Sequence, residues 1–299
     1  MSLAAGLSSE WLIVSEPTPH VLQVSLSRSP VNAFSTEQVG YSLGCISLTS
    51  SLRFWTAYGA LFDRITRERR DVRALVVSSA LPKLFSAGID IKGGIVEETT
   101  GDAARSSLNT YNKLKEFQSA IGAPQRCPFP VIVAVHGLVV GLGIDLICAC
   151  DVRYAADNSQ FTIKEVDVGL AADIGTLAFL PKITGNHSLM HELAYTSRIF
   201  SATEALQLGL VSQVVPGGQK DVIGAALKLA STIATKSPIA VSGTKRILTH
   251  SRDHSVPQNL DYVAAWNAAA LRTDDIPEGL RAAQARKQAT FQPLSKPKL

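Results

Sequence analysis

Short apolar runs rich in β-branched residues alternate along this chain with stretches of helical period, and that alternation limits the fold more than any other feature. Residues 20–26 (HVLQVSL) alternate with a period of two, as a half-buried strand does. Residues 73–78 (RALVVS) and 131–135 (VIVAV) are continuous apolar runs of the kind found in buried strands, and 152–155 and 160–162 read as further short strands. Between them, residues 55–67 and 106–120 repeat their apolar positions at helical spacing, and 144–150 opens a helix after a glycine-rich turn. Strand and helix in regular alternation imply an α/β fold. From Ile183 onward the pattern is helical, in segments 189–195, 202–209, 222–236, 238–252 and 257–287. Pro216-Gly217-Gly218 punctuates this part. A core over residues 10–215 and a helical region over 216–299 are therefore expected. Residues 38–53 (QVGYSLGCISLTSSLR) fit neither pattern and interrupt an otherwise clean N-cap-to-helix run. They read as a peripheral loop or a gene-model error.

Composition narrows the function classes. Of 299 residues, 46% are hydrophobic, enough for a folded core. The 29 basic and 25 acidic side chains leave a net charge of +4, too balanced for a nucleic-acid binder but compatible with a small polyanion. The longest apolar stretch, residues 131–150, is broken by His136, three glycines and Asp145, so no membrane span is expected. Cys45, Cys127, Cys148 and Cys150 include no C-x-x-C pair and read as reduced thiols. His187 and His191 have zinc-compatible spacing but no third ligand nearby, so no metal site is assigned. The start of the chain lacks the basic residues of a secretory or mitochondrial signal. Its last three residues, Pro297-Lys298-Leu299, approximate a peroxisomal address, with mitochondrial or cytoplasmic placement as the alternative.

Three segments carry candidate chemistry. In Ser86-Ala87-Gly88-Ile89-Asp90, small residues follow a buried strand, which lets backbone N–H groups face a cleft. Taken alone, such a turn is more often a plain connection. In Gly137 to Asp145, glycines precede an apolar helix, so unpaired N–H groups at its start suit an oxyanion. The spacing is not that of a dinucleotide site. In residues 164–176 (KEVDVGLAADIGT), Glu165 and Asp173 stand among apolar residues, and such surroundings raise a carboxyl pKa toward acid–base range.

The segments FSAGIDIK, VIVAVHGLVVGLGIDLICACDVRYAA and LAYTSRIFSATEALQLGLVSQVV resemble the crotonase, or enoyl-CoA hydratase/isomerase, superfamily over nearly the whole chain except residues 38–53. KEVDVGLAADIGTLAFLPK is most similar to its dienoyl-CoA isomerase branch. The resemblance implies a β-β-α spiral with a C-terminal helical region that forms a homotrimer or homohexamer. It also implies an acyl-CoA substrate and no separate cofactor. By the same resemblance, the backbone N–H groups of Ile89 and Leu142 form an oxyanion hole, and Ser86, Ala87, Gly88, Asp90 and Gly141 line the substrate. Where the family usually has three glycines, this chain reads Gly141-Leu142-Gly143, keeping the N–H but adding a side chain that would narrow the cleft. Hydratases of the family carry glutamates at the positions of Asp145 and Glu165. Here the first is an aspartate, and Asp173 supplies an extra acid at a glycine-like position. That departure implies isomerisation of a 3,5-dienoyl-CoA to a 2,4-dienoyl-CoA. Asp173 would act at C2 and Glu165 at C6, or the reverse, with Asp145 tuning the polar end. The alternatives are a 2-enoyl-CoA hydratase, a Δ3-Δ2 isomerase, or a non-catalytic CoA-binding or RNA-associated member.

Overall fold

A computed structural model describes residues 2–35, 54–68, 71–90 and 102–294. Residues 38–53, Lys92 and the last three residues lie outside the described residues. Elements are numbered in chain order. The largest sheet runs β1 (Leu12–Thr18), β2 (Val21–Leu26), β4 (Ala74–Ser79), β7 (Val131–Val135), β9 (Val152–Ala156), β12 (Gln213–Val215). Only β1 and β2 pair antiparallel; every later neighbour is parallel. A second sheet runs β11 (Phe200–Ser201), β10 (Gln160–Thr162), β8 (Leu138–Val140), β5 (Leu84–Ser86). A short parallel pair joins β3 (Phe34–Ser35) to β6 (Ile89–Asp90).

Each circuit of the chain leaves one strand in the large sheet and the next in a smaller one. A helix then returns it: α1 (Phe54–Glu68), α2 (Ala103–Ile121), and α4 (Leu142–Cys148) after the single-turn α3 (Ala123–Arg126). This is the β-β-α spiral, and parallel ladders follow because every circuit runs the same way. The remaining helices are α5 (Thr176–Ile183), α6 (His187–Thr196), α7 (Ala202–Leu208), α8 (Gln219–Ala234), α9 (Pro238–His250), α10 (Val256–Ala270) and α11 (Asp275–Gln284).

The large sheet is buried on both faces, so β4 and β7 need no polar side and read as continuous apolar runs. Their period of two still divides the core. Leu75, Val77, Val131, Val133 and Val135 join the main cluster inside the spiral. Ala74, Val76, Ile132 and Ala134 face the other way, onto Val222, Ala226 and Ala230 of α8. One expectation changes here. The stretch after Ile183 is not all helical, because β11 and β12 close edges of both sheets. The first helix after Pro216, α8, covers one face of the large sheet.

Beyond it, α9 is fastened to the core by one buried cation. Lys245 Nζ donates to the carbonyls of Pro124 (2.8 Å) and Phe129 (2.9 Å) and lies 2.7 Å from Asp151 Oδ2. The same carboxylate accepts the Val131 N–H that opens β7, at 2.7 Å. In contrast, α10 buries none of its residues in the single chain. Among the described residues, no helix is long and apolar enough to cross a membrane. Cys127, Cys148 and Cys150 are free and buried, and burial pushes the first two thiols up to about 11 and about 12. His191 Nδ1 meets the His187 carbonyl oxygen at 2.7 Å within α6.

Candidate active site

The β5–β6 turn and the start of α4 converge on one spot. Gly88 has φ +85°, and a Cβ there would lie 2.6 Å from the Val140 carbonyl oxygen and 3.4 Å from the Leu142 nitrogen. Only a residue without a side chain lets the two backbones approach so closely. In the β3–β6 ladder the Phe34 N–H donates to the Gly88 carbonyl at 2.8 Å, which turns the Ile89 N–H away from β3. Leu142 is the first residue of α4, where helical geometry supplies its N–H no partner. The neighbouring N–H of Gly141 is taken by the Thr162 carbonyl at 2.9 Å. Ile89 and Leu142 thus present a pair of adjacent donors. The Leu142 side chain turns into the main core cluster rather than narrowing the cleft.

Around this turn the residues expected to line the substrate also support one another. Ser86 is buried; its hydroxyl donates to the Asn32 carbonyl (2.9 Å) and accepts the Gly88 N–H (3.1 Å). The Ala87 N–H donates to the Val31 carbonyl, and Asp90 pairs with Arg28 at 3.2 Å. These bonds shape the turn. Asn32 is the hub that sequence reading missed. Fully buried with φ +48°, it donates to the carbonyls of Leu26 and Phe85 and to the Ser79 hydroxyl, and accepts the Arg28 N–H. A lone asparagine in Ser-Pro-Val-Asn signals a tight turn, but not that its side chain ends 53 residues away at Phe85.

Three carboxyls gather beside the amide pair. Asp145 sits in the first turn of α4, 1% exposed, and its Oδ1 accepts the Thr176 N–H at 2.6 Å. Burial pushes its pKa up to about 6, against the pull of the Thr176 amide. Glu165 opens a single 3-10 turn, Glu165–Val168, directly over Gly141. A Cβ at Gly141, itself at φ +49°, would come within 3.0 Å of Glu165 Oε1. Glu165 Oε2 is buried without a hydrogen-bond partner among the described residues. Its pKa rises to about 7, first from burial, then from the charges of Asp145 and Asp173. Asp173 lies in the irregular segment between that turn and α5. It is exposed in the single chain, yet partial burial still raises its carboxyl above the ordinary range. Gln118 of α2, absent from the sequence expectations, donates to the Asp173 carbonyl at 2.7 Å.

Two oriented N–H donors beside carboxyls of raised proton affinity can stabilise an enolate oxygen while protons move on and off carbon. Comparison with known proteins bears on this chemistry. Residues 56–293 match the model of the enoyl-CoA hydratase/isomerase family. The chain belongs to that family. It is 42% identical to the mitochondrial Delta(3,5)-Delta(2,4)-dienoyl-CoA isomerase of Homo sapiens, over 97% of this chain and 84% of that one. It is 41% identical to the peroxisomal enzyme of the same name from Arabidopsis thaliana, over 84% and 89% of the two chains. Among solved structures, the enoyl-CoA hydratase of Bacillus anthracis superposes with a TM-score of 0.75 at 26% identity, covering 94% of this chain and 98% of that one.

Proposed function

We propose that this family member converts 3,5-dienoyl-CoA thioesters to 2,4-dienoyl-CoA thioesters in fatty acid β-oxidation. The observation that carries the reading is the pairing of Glu165 and Asp173, two acids of raised proton affinity beside the Ile89 and Leu142 amides. Asp173, ionised, takes a proton from C2. The electrons of that C–H bond pass into a dienolate whose oxygen rests on the two N–H groups. Glu165, protonated, then donates to C6, and the double bonds settle at C2 and C4. Asp173 ends protonated and Glu165 ionised, and exchange with water resets them. C2 and C6 lie too far apart for one carboxyl to serve both, which is why a second acid is needed. A pKa of about 7 keeps a useful fraction of Glu165 protonated at neutral pH. Asp145 holds the far end of the Asp173 segment through Thr176 and disfavours negative charge on Glu165. Proton transfer of this kind requires no metal, nicotinamide or flavin.

The test is to follow 3,5-octadienoyl-CoA for the growth of conjugated 2,4-dienoyl absorbance, with crotonyl-CoA hydration as the competing activity. Hydration without isomerisation would overturn the reading. Asp173→Asn should lose about 10²-fold or more in kcat with an unchanged melting temperature; a wild-type rate would remove Asp173 from the mechanism.

The same proposal covers assembly and address. Leu248, Val256, Leu260 and Leu271 are each more than 60% exposed, an apolar surface that a second and third copy of this chain would cover. Sedimentation should give a trimer or hexamer, and a monomer would refute it. Pro297-Lys298-Leu299 would direct the enzyme to peroxisomes, and a fluorescent fusion that stays diffuse with the tripeptide present would refute that.

A further inference from the structure

We infer that Gln118 positions Asp173 for proton transfer: its side-chain amide fixes the placement of the irregular segment that carries the acid. The inference rests on the reading of Asp173 as a proton-transferring group.

Residues 170–173 lie in neither a helix nor a strand, so no ladder sets their position. Ala172 is buried and Ile174 packs against the main core, while Asp173 between them is exposed. These apolar contacts are non-directional and do not by themselves fix the position of Asp173 along the chain. Directional bonds meet it at three points. At its near end the Leu170 N–H donates to the Glu165 carbonyl at 3.2 Å, beyond its far end the Thr176 N–H reaches Asp145, and at Asp173 itself the carbonyl accepts from Gln118 Nε2 at 2.7 Å; the last acts on the residue that carries the acid. Gln118 is half-buried on a rigid mount. Its helix, α2, presses so closely on α1 that a Cβ at Gly59 would lie 2.8 Å from the Ala120 Cα. The amide therefore transmits the position of the α1–α2 pair to the acid. A catalytic group displaced by about 1 Å can cost on the order of 10²-fold in rate.

Gln118→Met keeps length and apolar contact but removes the donor. It should lower kcat on 3,5-octadienoyl-CoA about 10-fold with KM and melting temperature nearly unchanged. In an Asp173→Asn background the same change should cost less than about twofold, because the group it places is already gone. A wild-type kcat for Gln118→Met, or losses that multiply in the double variant, would overturn the inference while leaving the isomerase reading intact. Should Gln118→Met fold poorly, Gln118→Glu, which keeps the size and cannot donate when ionised, takes its place under the same criteria. A wild-type protein inactive on this substrate would instead overturn the function on which the inference rests.

Discussion

The amide turn and the acid-bearing segment face each other across one site, but they are held in opposite ways. Around Gly88 almost every polar atom is tied inside the protein. Asn32, Ser86, Val31 and Arg28 each bond to the turn or its flanks, and Phe34 supports it from β3. Asp173 itself is exposed, and the directional bonds about it are few, made by Gln118, Asp145 and the Leu170 N–H. A thioester oxygen sits at the same place in every substrate of this chemistry, so its cradle gains from being rigid. The acid must match the length and unsaturation of a particular acyl chain, and it stands on the segment that substitution can re-aim without disturbing the core.

Changes on each side should therefore fail differently. The largest effect is expected for Gly88→Ala. Its Cβ would lie 2.6 Å from the Val140 carbonyl at a φ that L residues rarely adopt, so the two backbones must separate. Activity should fall by more than about 10²-fold, with a lowered melting temperature. A variant with wild-type activity and melting would show the cradle to be softer than its contacts imply. Next comes Glu165→Gln, which should lose most of the turnover yet fold normally. In the wild type, kcat should decline on the alkaline side with an apparent pKa near the value of about 7 that burial gives Glu165. An activity that stays level up to pH 9 would show that the carboxyl need not be protonated.

The smallest effect concerns stability. A carboxyl whose folded pKa is raised binds its proton more tightly in the folded state. Its contribution is thus present at low pH and lost as pH rises from the unfolded value through the folded one. For Glu165 that window runs from 4.5 to about 7. Glu165→Gln should gain on the wild type across it and remain ahead at pH 8, by on the order of 1–3 kcal/mol, or a few degrees of melting temperature. Parallel melting curves from pH 5 to pH 8 would place the carboxyl in water rather than over Gly141.

Much of this was legible in the chain itself, and the omissions share a cause. The strands β2, β4, β7 and β10 stand within one residue of their sequence readings, because period and β-branching act locally. The three acids stand out as carboxyls among apolar residues and glycines, whereas Ile89 and Leu142 were singled out by the resemblance to the crotonase family. What the sequence hides are partners brought together by the spiral. Gln118 lies 55 residues from Asp173, Asn32 lies 53 from Phe85, and Lys245 lies 121 from Pro124. Each is an ordinary polar residue until the topology gives it a neighbour. The strand β12 escaped for a related reason: three residues between helices carry no period, and only the waiting edge of β9 makes them a strand. The Ser86 hydroxyl is another such case, engaged by Asn32 and Gly88 in a way its motif does not signal.

Lys245 carries a consequence for the evolution of the chain's far end. Because the Asp151 carboxylate binds both that ammonium and the leading amide of β7, the strand that runs up to the glycine-rich start of α4 depends on a helix laid down more than a hundred residues later. A polypeptide cut short before α9 would keep every group assigned to the chemistry. It would still leave that carboxylate without its cation at the root of the strand leading to them. Shortened or fused descendants of such a chain must keep a cation at this joint or replace the whole trio of acceptors beneath it.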